Sequence, residues 1–243
     1  MTSGALTDAQ LARAIADEAG ALLLRIQEEG ADGARGDREA NALILDMLRA
    51  ARPDDAILSE ESADDPVRLE RSRVWIVDPL DGTREFGESR ADWAVHIALA
   101  IDGEAAAGAV ALPRLGVTLS SDPAPVLAGG HLPPRMLVSR TRPSALCAEV
   151  GARIGAEHIG MGSAGAKAMA VVRGEAEIYL HSGGQHQWDN CAPVAVARAA
   201  GLHCSRIDGS PIRYNQPGTS IPDLLICRPE WSQIVLESVA KCS

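Results

Sequence analysis

The sequence has few of the features that mark several large classes of protein. Only seven of its 243 residues are aromatic, so Ala, Val, Leu and Ile must supply most of the core packing. The five cysteines are an odd number without Cys-x-x-Cys spacing, which argues against a disulfide framework or a zinc site. No apolar run approaches the ~20 residues of a membrane span, and no cationic, apolar leader opens the chain. We therefore expect a globular, cytoplasmic protein with reduced thiols.

Positive charge is also scarce, because the formal net charge is −10 at pH 7. This charge argues against nucleic acid or an anionic membrane surface as a partner. It does not exclude a phosphate substrate, since bound divalent cations would reverse the sign of the field inside a site. An anionic protein that acts on an anionic substrate points toward a metal.

The most informative stretch is Val74–Phe86, Val-Trp-Ile-Val-Asp-Pro-Leu-Asp-Gly-Thr-Arg-Glu-Phe. Its apolar start predicts a buried strand, which the Asp-Pro pair should end because proline cannot continue a ladder. Asp78 and Asp81 then lie in a turn, where Gly82 lets the backbone approach a ligand and Thr83 can cap a following helix. Carboxylates suit Mg²⁺, and free N–H groups at a helix start attract an anion. A plain turn with polar caps is the alternative.

The rest of the chain alternates between helical and extended patterns. Apolar spacing predicts helices over 7–29, 41–51, 188–200 and 231–240. Residues 161–169 predict a glycine-rich turn that opens an Ala-rich helix. Short apolar runs predict strands over 56–59, 93–100, 106–111, 116–120, 136–138, 174–180 and 224–227. Asp102-Gly103 predicts a hairpin, whereas 123–134 and Gly183-Gly184 predict loops.

Several polar residues have two interpretations. Glu60 begins a Glu-Glu pair after a predicted strand, and such pairs are usually a solvated edge. Asp37 fits an N-terminal cap of the second helix, as Asp189 fits a cap of a later one. His96 lies among apolar residues, which favours a satisfied core histidine over a catalytic one.

Two later segments are ambiguous in the same way. The arginines of Ser139-Arg140-Thr141-Arg142 are either surface charge or a fork for an oxyanion. Ser163 and Lys167, at the start of the Ala-rich helix, serve either tight packing or substrate contact.

Together these segments resemble the inositol monophosphatase superfamily of Mg²⁺-dependent, lithium-sensitive phosphomonoesterases. The shared strings are Glu-Glu-Ser from Glu60, Asp-Pro-Leu-Asp-Gly-Thr from Asp78, Gly-Ser at Ser163 and Trp-Asp-x-x-Ala around Asp189, in the family's order. The sequence departs from the family pattern at Ser59, where a Gly is usual, in the residues before Asp37, and in the offset of Lys167.

The resemblance implies an α/β (α+β) fold, a layered αβαβα sandwich with mixed sheets. It implies one catalytic domain over residues 1–243, divisible into lobes at 1–122 and 135–243. It also allows a homodimer.

The resemblance assigns roles to particular residues. Two or three Mg²⁺ ions would be held by Glu60, Asp78, the Leu80 carbonyl, Asp81 and Asp189, and the four carboxylates would repel one another strongly without cations. The implied catalytic residues, which orient or activate water, are Glu60, Thr83, Asp37 and Asp81. The implied substrate contacts are Leu80, Asp81, Gly82, Thr83, Ser139, Arg140, Ser163, Lys167 and Asp189.

Within the superfamily, the chain is most similar to the CysQ-type 3′(2′),5′-bisphosphate nucleotidase branch. Leu80, Val138-Ser139-Arg140, Lys167 and the short length carry this likeness. It implies hydrolysis of adenosine 3′,5′-bisphosphate (PAP), with PAPS as a further substrate, in sulfate assimilation. The alternatives are an inositol-1-phosphate or fructose-1,6-bisphosphate phosphatase on the same metal site, or a non-catalytic binding relative. The expected partner is a small phosphate ester, with neither nucleic acid nor a membrane.

Overall fold

The computed structural model describes residues 6–30 and 32–242, within which the chain forms seven α-helices and ten strands. The helices are α1 (Asp8–Glu28), α2 (Gly33–Ala51), α3 (Thr83–Gly87), α4 (Ala145–Ile154), α5 (Ala164–Val172), α6 (Gln187–Ala199) and α7 (Pro229–Ala240). The strands are β1 (Ala56–Ser59), β2 (Arg73–Asp81), β3 (Ala94–Ile101), β4 (Glu104–Leu112), β5 (Val117–Ser120), β6 (Arg135–Ser139), β7 (Glu157–Met161), β8 (Ile178–His186), β9 (His203–Ser205) and β10 (Ser220–Cys227).

The first sheet has the order β1-β2-β3-β4-β5. β1 runs parallel to β2, and the remaining pairs are antiparallel. Asp102 and Gly103 join β3 to β4 with φ values of 50° and 80°. Positive φ at both central residues is the backbone that a two-residue hairpin requires, so the predicted hairpin is confirmed.

The second sheet has the order β7-β6-β8-β10-β9. β6 pairs in parallel with β7 and β8, whereas β10 is antiparallel to β8 and β9. The strand predicted over 174–180 is wrong at both ends, because β8 begins at Ile178 and continues through Gly183 and Gly184 to His186. Pairing with β10 extends past these glycines across a register shift, and their φ values of 139° and 87° allow it.

Helices cover both outer faces of the two sheets and fill the space between them. α1 and α2 pack on the first sheet, α5 and α6 lie between the sheets, and α4 and α7 pack together against the second sheet. The strand period of two divides the side chains of β2 between two cores. Val74 and Ile76 join the central core, and Trp75 and Val77 join the core under α1 and α2. The αβαβα layering implied by the resemblance is confirmed.

The predicted start of the second helix is wrong. α2 begins at Gly33, so Asp37 lies inside the helix, and the N-terminal cap is Asp32, whose side chain accepts from Arg35 N at 3.0 Å. The early start places Gly33 against Thr83, where the absence of a Cβ permits close approach.

The Asp-Pro-Leu-Asp-Gly-Thr string, residues 78–83, also differs from expectation in where its strand ends and in which residue caps its helix. β2 continues past Asp78-Pro79 to Asp81, because pairing with β3 resumes after an irregularity that contains the proline. Thr83 does not cap α3; the cap residue is Gly82, at a φ of 97° and without a side-chain bond. No helix within 6–30 and 32–242 is long and apolar enough to cross a membrane.

Candidate active site

The acidic pair lies where the pairing of β2 with β3 is irregular. Asp78 is opposite His96 and Asp81 is opposite Ala94, so two residues of β2 face one residue of β3. Residues three apart on a regular strand point to opposite faces, and the extra residue cancels this alternation. Both carboxylates therefore approach His96: Asp78 Oδ2 lies 3.9 Å from Nδ1, and Asp81 Oδ2 lies 3.3 Å from Nε2.

Asp81 is fixed by the first turn of α5. Its Oδ2 accepts hydrogen bonds from Ser163 Oγ at 2.5 Å and from Gly165 N at 2.7 Å. Burial alone would raise the pKa of Asp81, but the contact with His96, together with these hydrogen bonds, holds it below its usual value. A Cβ on Gly165 would overlap His96 Nε2, so a glycine is required for the imidazole to lie here.

His96 is wholly buried, as expected for a core histidine, but it also belongs to the acidic cluster. Its Nδ1 lies 3.0 Å from the Trp188 carbonyl, which only accepts, so Nδ1 carries a proton. Burial opposes a charge on the ring, and the contact with Asp81 outweighs it, so the pKa of His96 is raised.

Glu60 and Asp189 bring two more carboxylates to the cluster. Glu60 follows β1, and its N–H donates to a β2 carbonyl at 3.2 Å. Asp189 lies in the first turn of α6, where its Oδ2 accepts from His186 N at 2.7 Å. Burial, then the charges of Asp81, Glu60 and Asp189, raises the pKa of Asp78 well above its usual value. Burial and the charge of Asp81 raise the pKa of Asp189 to about 6.

Asp37 on α2 reaches Thr83 on α3. Burial, followed by the charges of Glu61 and Glu60, raises the pKa of Asp37 to about 7, against a hydrogen bond from Thr83 that lowers it. The Thr83 hydroxyl also lies 3.3 Å from the Leu80 carbonyl. Because the hydroxyl has one proton, it can donate to only one of these two acceptors at a time.

A cleft of about 360 Å³ opens beside the carboxylates. It is lined by most of the residues nominated for substrate contact: Asp81, Gly82, Thr83, Ser139, Arg140, Ser163, Lys167 and Asp189. Leu80 was also predicted to contact the substrate, but its side chain is buried in the core beneath α1 and α2. These roles remain predictions, although the fold gathers residues from four distant segments around one space.

Comparison with known proteins gives the same family as the motifs. A sequence model described as the inositol monophosphatase family matches residues 9–124 and 131–241. The chain belongs to the inositol monophosphatase family.

The curated relatives of this family member include nucleotide phosphatases. A protein of Mycobacterium leprae named 3′-phosphoadenosine 5′-phosphate phosphatase is 50% identical over 252 residues, which cover 95% of this chain and 93% of the relative. The 3′(2′),5′-bisphosphate nucleotidase CysQ of Escherichia coli is 33% identical over 192 residues, covering 73% and 77%. The crystal structure of CysQ from Bacteroides thetaiotaomicron shares the fold, with a TM-score of 0.77, 24% identity, and coverage of 91% and 97%.

Inositol monophosphatase family members are generally metal-dependent, typically on Mg²⁺. Across the residues described here, no group of three or more His, Cys, Asp or Glu side chains is arranged to hold an ion as it stands. The chemistry of the donors nevertheless fits a hard cation, because Asp78 is buried against three other carboxylates whose charges raise its pKa. A cation among them would remove that repulsion.

The sequence missed several residues that line this family member's cleft, among them Glu85, Tyr179, His181 and Gln185. Glu85 lies two residues after Thr83, the last residue of the Asp-Pro-Leu-Asp-Gly-Thr string, and this position was the available signal. The other three lie on β8, whose course through the two glycines was not predicted.

Proposed function

We propose that the protein is a Mg²⁺-dependent phosphomonoesterase that hydrolyses the 3′-phosphate of PAP to give AMP and phosphate. The observation that carries the proposal is the 50% identity, over 95% of the chain, to a protein named for this substrate. The cleft supports it, since it places arginines of the 139–142 segment beside Asp81 and Asp189. We include PAPS as a further substrate and sulfate assimilation as the setting.

We further propose that two or three Mg²⁺ ions bind at the acidic cluster. The ligands would be Glu60, Asp78, Asp81, Asp189 and the Leu80 carbonyl. When bound, the ions would neutralise phosphate charge and lower the pKa of a water molecule. The chain supplies the alignment, because the β2 bulge and the first turns of α5 and α6 fix the carboxylates.

The pair of Asp37 and Thr83 is proposed to orient the attacking water. Thr83 Oγ1 can accept from the water when its own proton goes to Asp37 or to the Leu80 carbonyl. The Asp37 carboxyl would act as the acceptor that orients the Thr83 hydroxyl. The backbone N–H groups of Gly82 and Thr83 are assigned to the phosphate oxygens.

The sequence-based expectations of a homodimer, a cytoplasmic location, and a single domain with lobes at 1–122 and 135–243 are kept as predictions. They do not affect the chemistry proposed for the cleft.

The decisive experiment measures phosphate release from PAP, inositol-1-phosphate and fructose-1,6-bisphosphate, each with Mg²⁺ and with excess chelator. We expect a large preference for PAP that chelator abolishes. Comparable rates on the inositol and sugar phosphates would replace the proposal with a broad phosphatase. No release from any substrate would indicate a non-catalytic relative.

A further inference from the structure

Two of the four cationic side chains that line the cleft are already engaged by the protein itself. The cleft is lined by four permanently charged or strongly basic side chains, Arg84, Arg140, Arg142 and Lys167. In the proposed function the acidic cluster and its ions take the phosphate that is hydrolysed. The second phosphate of the substrate then needs a cationic side chain elsewhere in the cleft. Only a cation without a partner in the protein is free to bind that second phosphate.

Arg140 is neutralised by two carboxylates. Its Nη2 donates to Glu85 Oε1 at 2.7 Å and to Glu88 Oε2 at 2.9 Å. The Glu85 side chain is only 8% exposed, and removing its ion-pair partner Arg140 would leave a buried carboxylate uncompensated. A phosphate would have to compete with both carboxylates for Arg140.

Lys167 is similarly engaged. Its Nζ donates to the carbonyl oxygens of Ser163 at 2.6 Å, Gly162 at 3.2 Å and Met161 at 3.5 Å. An ammonium group has three protons, and these carbonyls account for all of them. The residue is 5% exposed, which agrees with a role in holding the glycine-rich turn.

Arg142 differs from both. Its side chain is exposed, and within residues 6–30 and 32–242 its guanidinium makes no hydrogen bond or ion pair. Its backbone is nevertheless fixed, because Arg142 N donates to Ser139 Oγ at 3.2 Å. His181 lines the same cleft; burial and then the charges of Lys167 and Arg142 lower its pKa, consistent with Arg142 lying on that side.

Arg84 is the other cation of the cleft whose side chain has no hydrogen bond or ion pair among the described residues, but it lies in a different part of the cleft. It directly follows Thr83 in α3, beside the acidic motif, whereas Arg142 follows β6. Arg84 is therefore a matched control for a free arginine of the same cleft.

We propose that Arg142 binds the non-hydrolysed phosphate of the bisphosphate substrate, while Arg140 is a positioning residue held by Glu85 and Glu88. This inference rests on the proposed function and deepens it. A guanidinium fork fits two oxygens of a phosphate, and Ser139 would act by fixing the turn that carries Arg142.

The test compares the wild-type protein and Arg142→Gln on PAP and on adenosine 3′-monophosphate, which lacks the 5′-phosphate. We expect kcat/KM for PAP to fall about tenfold or more, mainly through KM, because a hydrogen-bonded charge contact is lost. The value for the monophosphate should change less than about twofold, since that substrate has no group for Arg142. Arg142→Lys should recover part of the loss, because it keeps the charge without the fork.

Two control variants make the result specific. Arg84→Gln and Arg140→Gln should affect PAP and the monophosphate by similar factors. Equal losses on both substrates for Arg142→Gln, or a PAP-selective loss for either control, would overturn the assignment.

Calorimetric binding of PAP with Ca²⁺ in place of Mg²⁺ separates this inference from the proposed function. Binding that depends on Arg142, together with no phosphate release from PAP in the assay with Mg²⁺, would retain the inference and reject the activity. Binding that is unchanged in Arg142→Gln, or absent from the wild type, would reject the inference.

Discussion

Asp81, at the end of β2, is hydrogen-bonded to the first turn of α5. Its Oδ2 is shared by Ser163 and Gly165 and lies near His96, whereas its Oδ1 accepts no hydrogen bond from the part of the chain that the structure describes. One oxygen thus serves the fold and the other remains for a cation. Hydrogen bonds to Oδ2 therefore contribute to stability, while Oδ1 is available for the proposed chemistry.

This division makes Asp81→Asn an informative variant. The amide oxygen can accept from Ser163 and Gly165 as before, while the amide nitrogen takes the position of the free oxygen and cannot bind a cation. We expect Mg²⁺-dependent phosphate release to fall about a thousandfold or more, with the melting temperature changed by only a few degrees. Substantial remaining turnover in a folded variant would reject Asp81 as a metal ligand.

Gly165 gives a second prediction at this scale. Gly165→Ala would place a methyl group on His96 Nε2 and displace the imidazole from Asp81. We expect a loss of about 1–3 kcal/mol in unfolding free energy, despite the better helix propensity of alanine, together with lower activity. Gly87→Ala is the control, because a Cβ there meets nothing within 4 Å. Denaturant titration of both variants measures the difference, and equal stabilities would contradict the predicted overlap.

A site residue could be predicted from sequence when its partners are close to it in the chain. Asp78 and Asp81 belong to one contiguous string, so their proximity could be expected from sequence. The role of His96 could not, because its neighbours in the chain are apolar and its partner, the Trp188 carbonyl, is 92 residues away. The register between β2 and β3 brings His96 to Asp78 and Asp81, and register is not visible in either strand alone.

Among the elements, α2 shows the same limit. Gly33 and Gly36 suggest a break in a helix, because glycine disfavours helical backbone. The structure instead uses them for packing: a Cβ on Gly33 would overlap Thr83, and one on Gly36 would press on Leu23 and Leu80. Tertiary contact overrides local propensity here.

Two variants at the start of α2 separate the position of this helix from its stability. Gly33→Ala should push α2 away from Thr83 and misalign Asp37, lowering kcat/KM about ten- to a hundredfold. Asp32→Ala removes the cap and should cost about 1 kcal/mol of stability with a much smaller effect on activity. Thermal melts and initial rates of both variants provide the test. If the activity loss merely follows the stability loss in both, α2 has no positioning role.

For the whole molecule, the layered order was easier to predict than its details. The family's motifs occur in the expected chain order, and the layered fold follows from the family resemblance that they carry. Alternation along β2 then divides its side chains between two cores, so a single strand couples the outer helices to the central ones. The acidic cluster lies at the end of that strand, so the proposed metal binding would be linked to the stability of the fold.

The same link predicts that Mg²⁺ stabilises the protein as a whole. The chain has a net charge of −10, and burial and mutual repulsion already raise the pKa values of Asp78 and Asp189. An ion that binds only the folded state at a hundred times its dissociation constant contributes about 2.7 kcal/mol, which for a chain of this length is an increase of roughly 5–10 °C in melting temperature.

Calorimetric scans with Mg²⁺, and with NaCl at equal ionic strength, distinguish specific binding from screening. Asp81→Asn should lose most of the Mg²⁺-dependent increase. Asp46→Asn, which removes an exposed carboxylate on α2, should retain it. The melting temperatures of the wild type, Asp81→Asn and Asp46→Asn could instead rise equally with Mg²⁺, or rise as much with NaCl. In that case the ions relieve the overall negative charge rather than the repulsion among the four carboxylates.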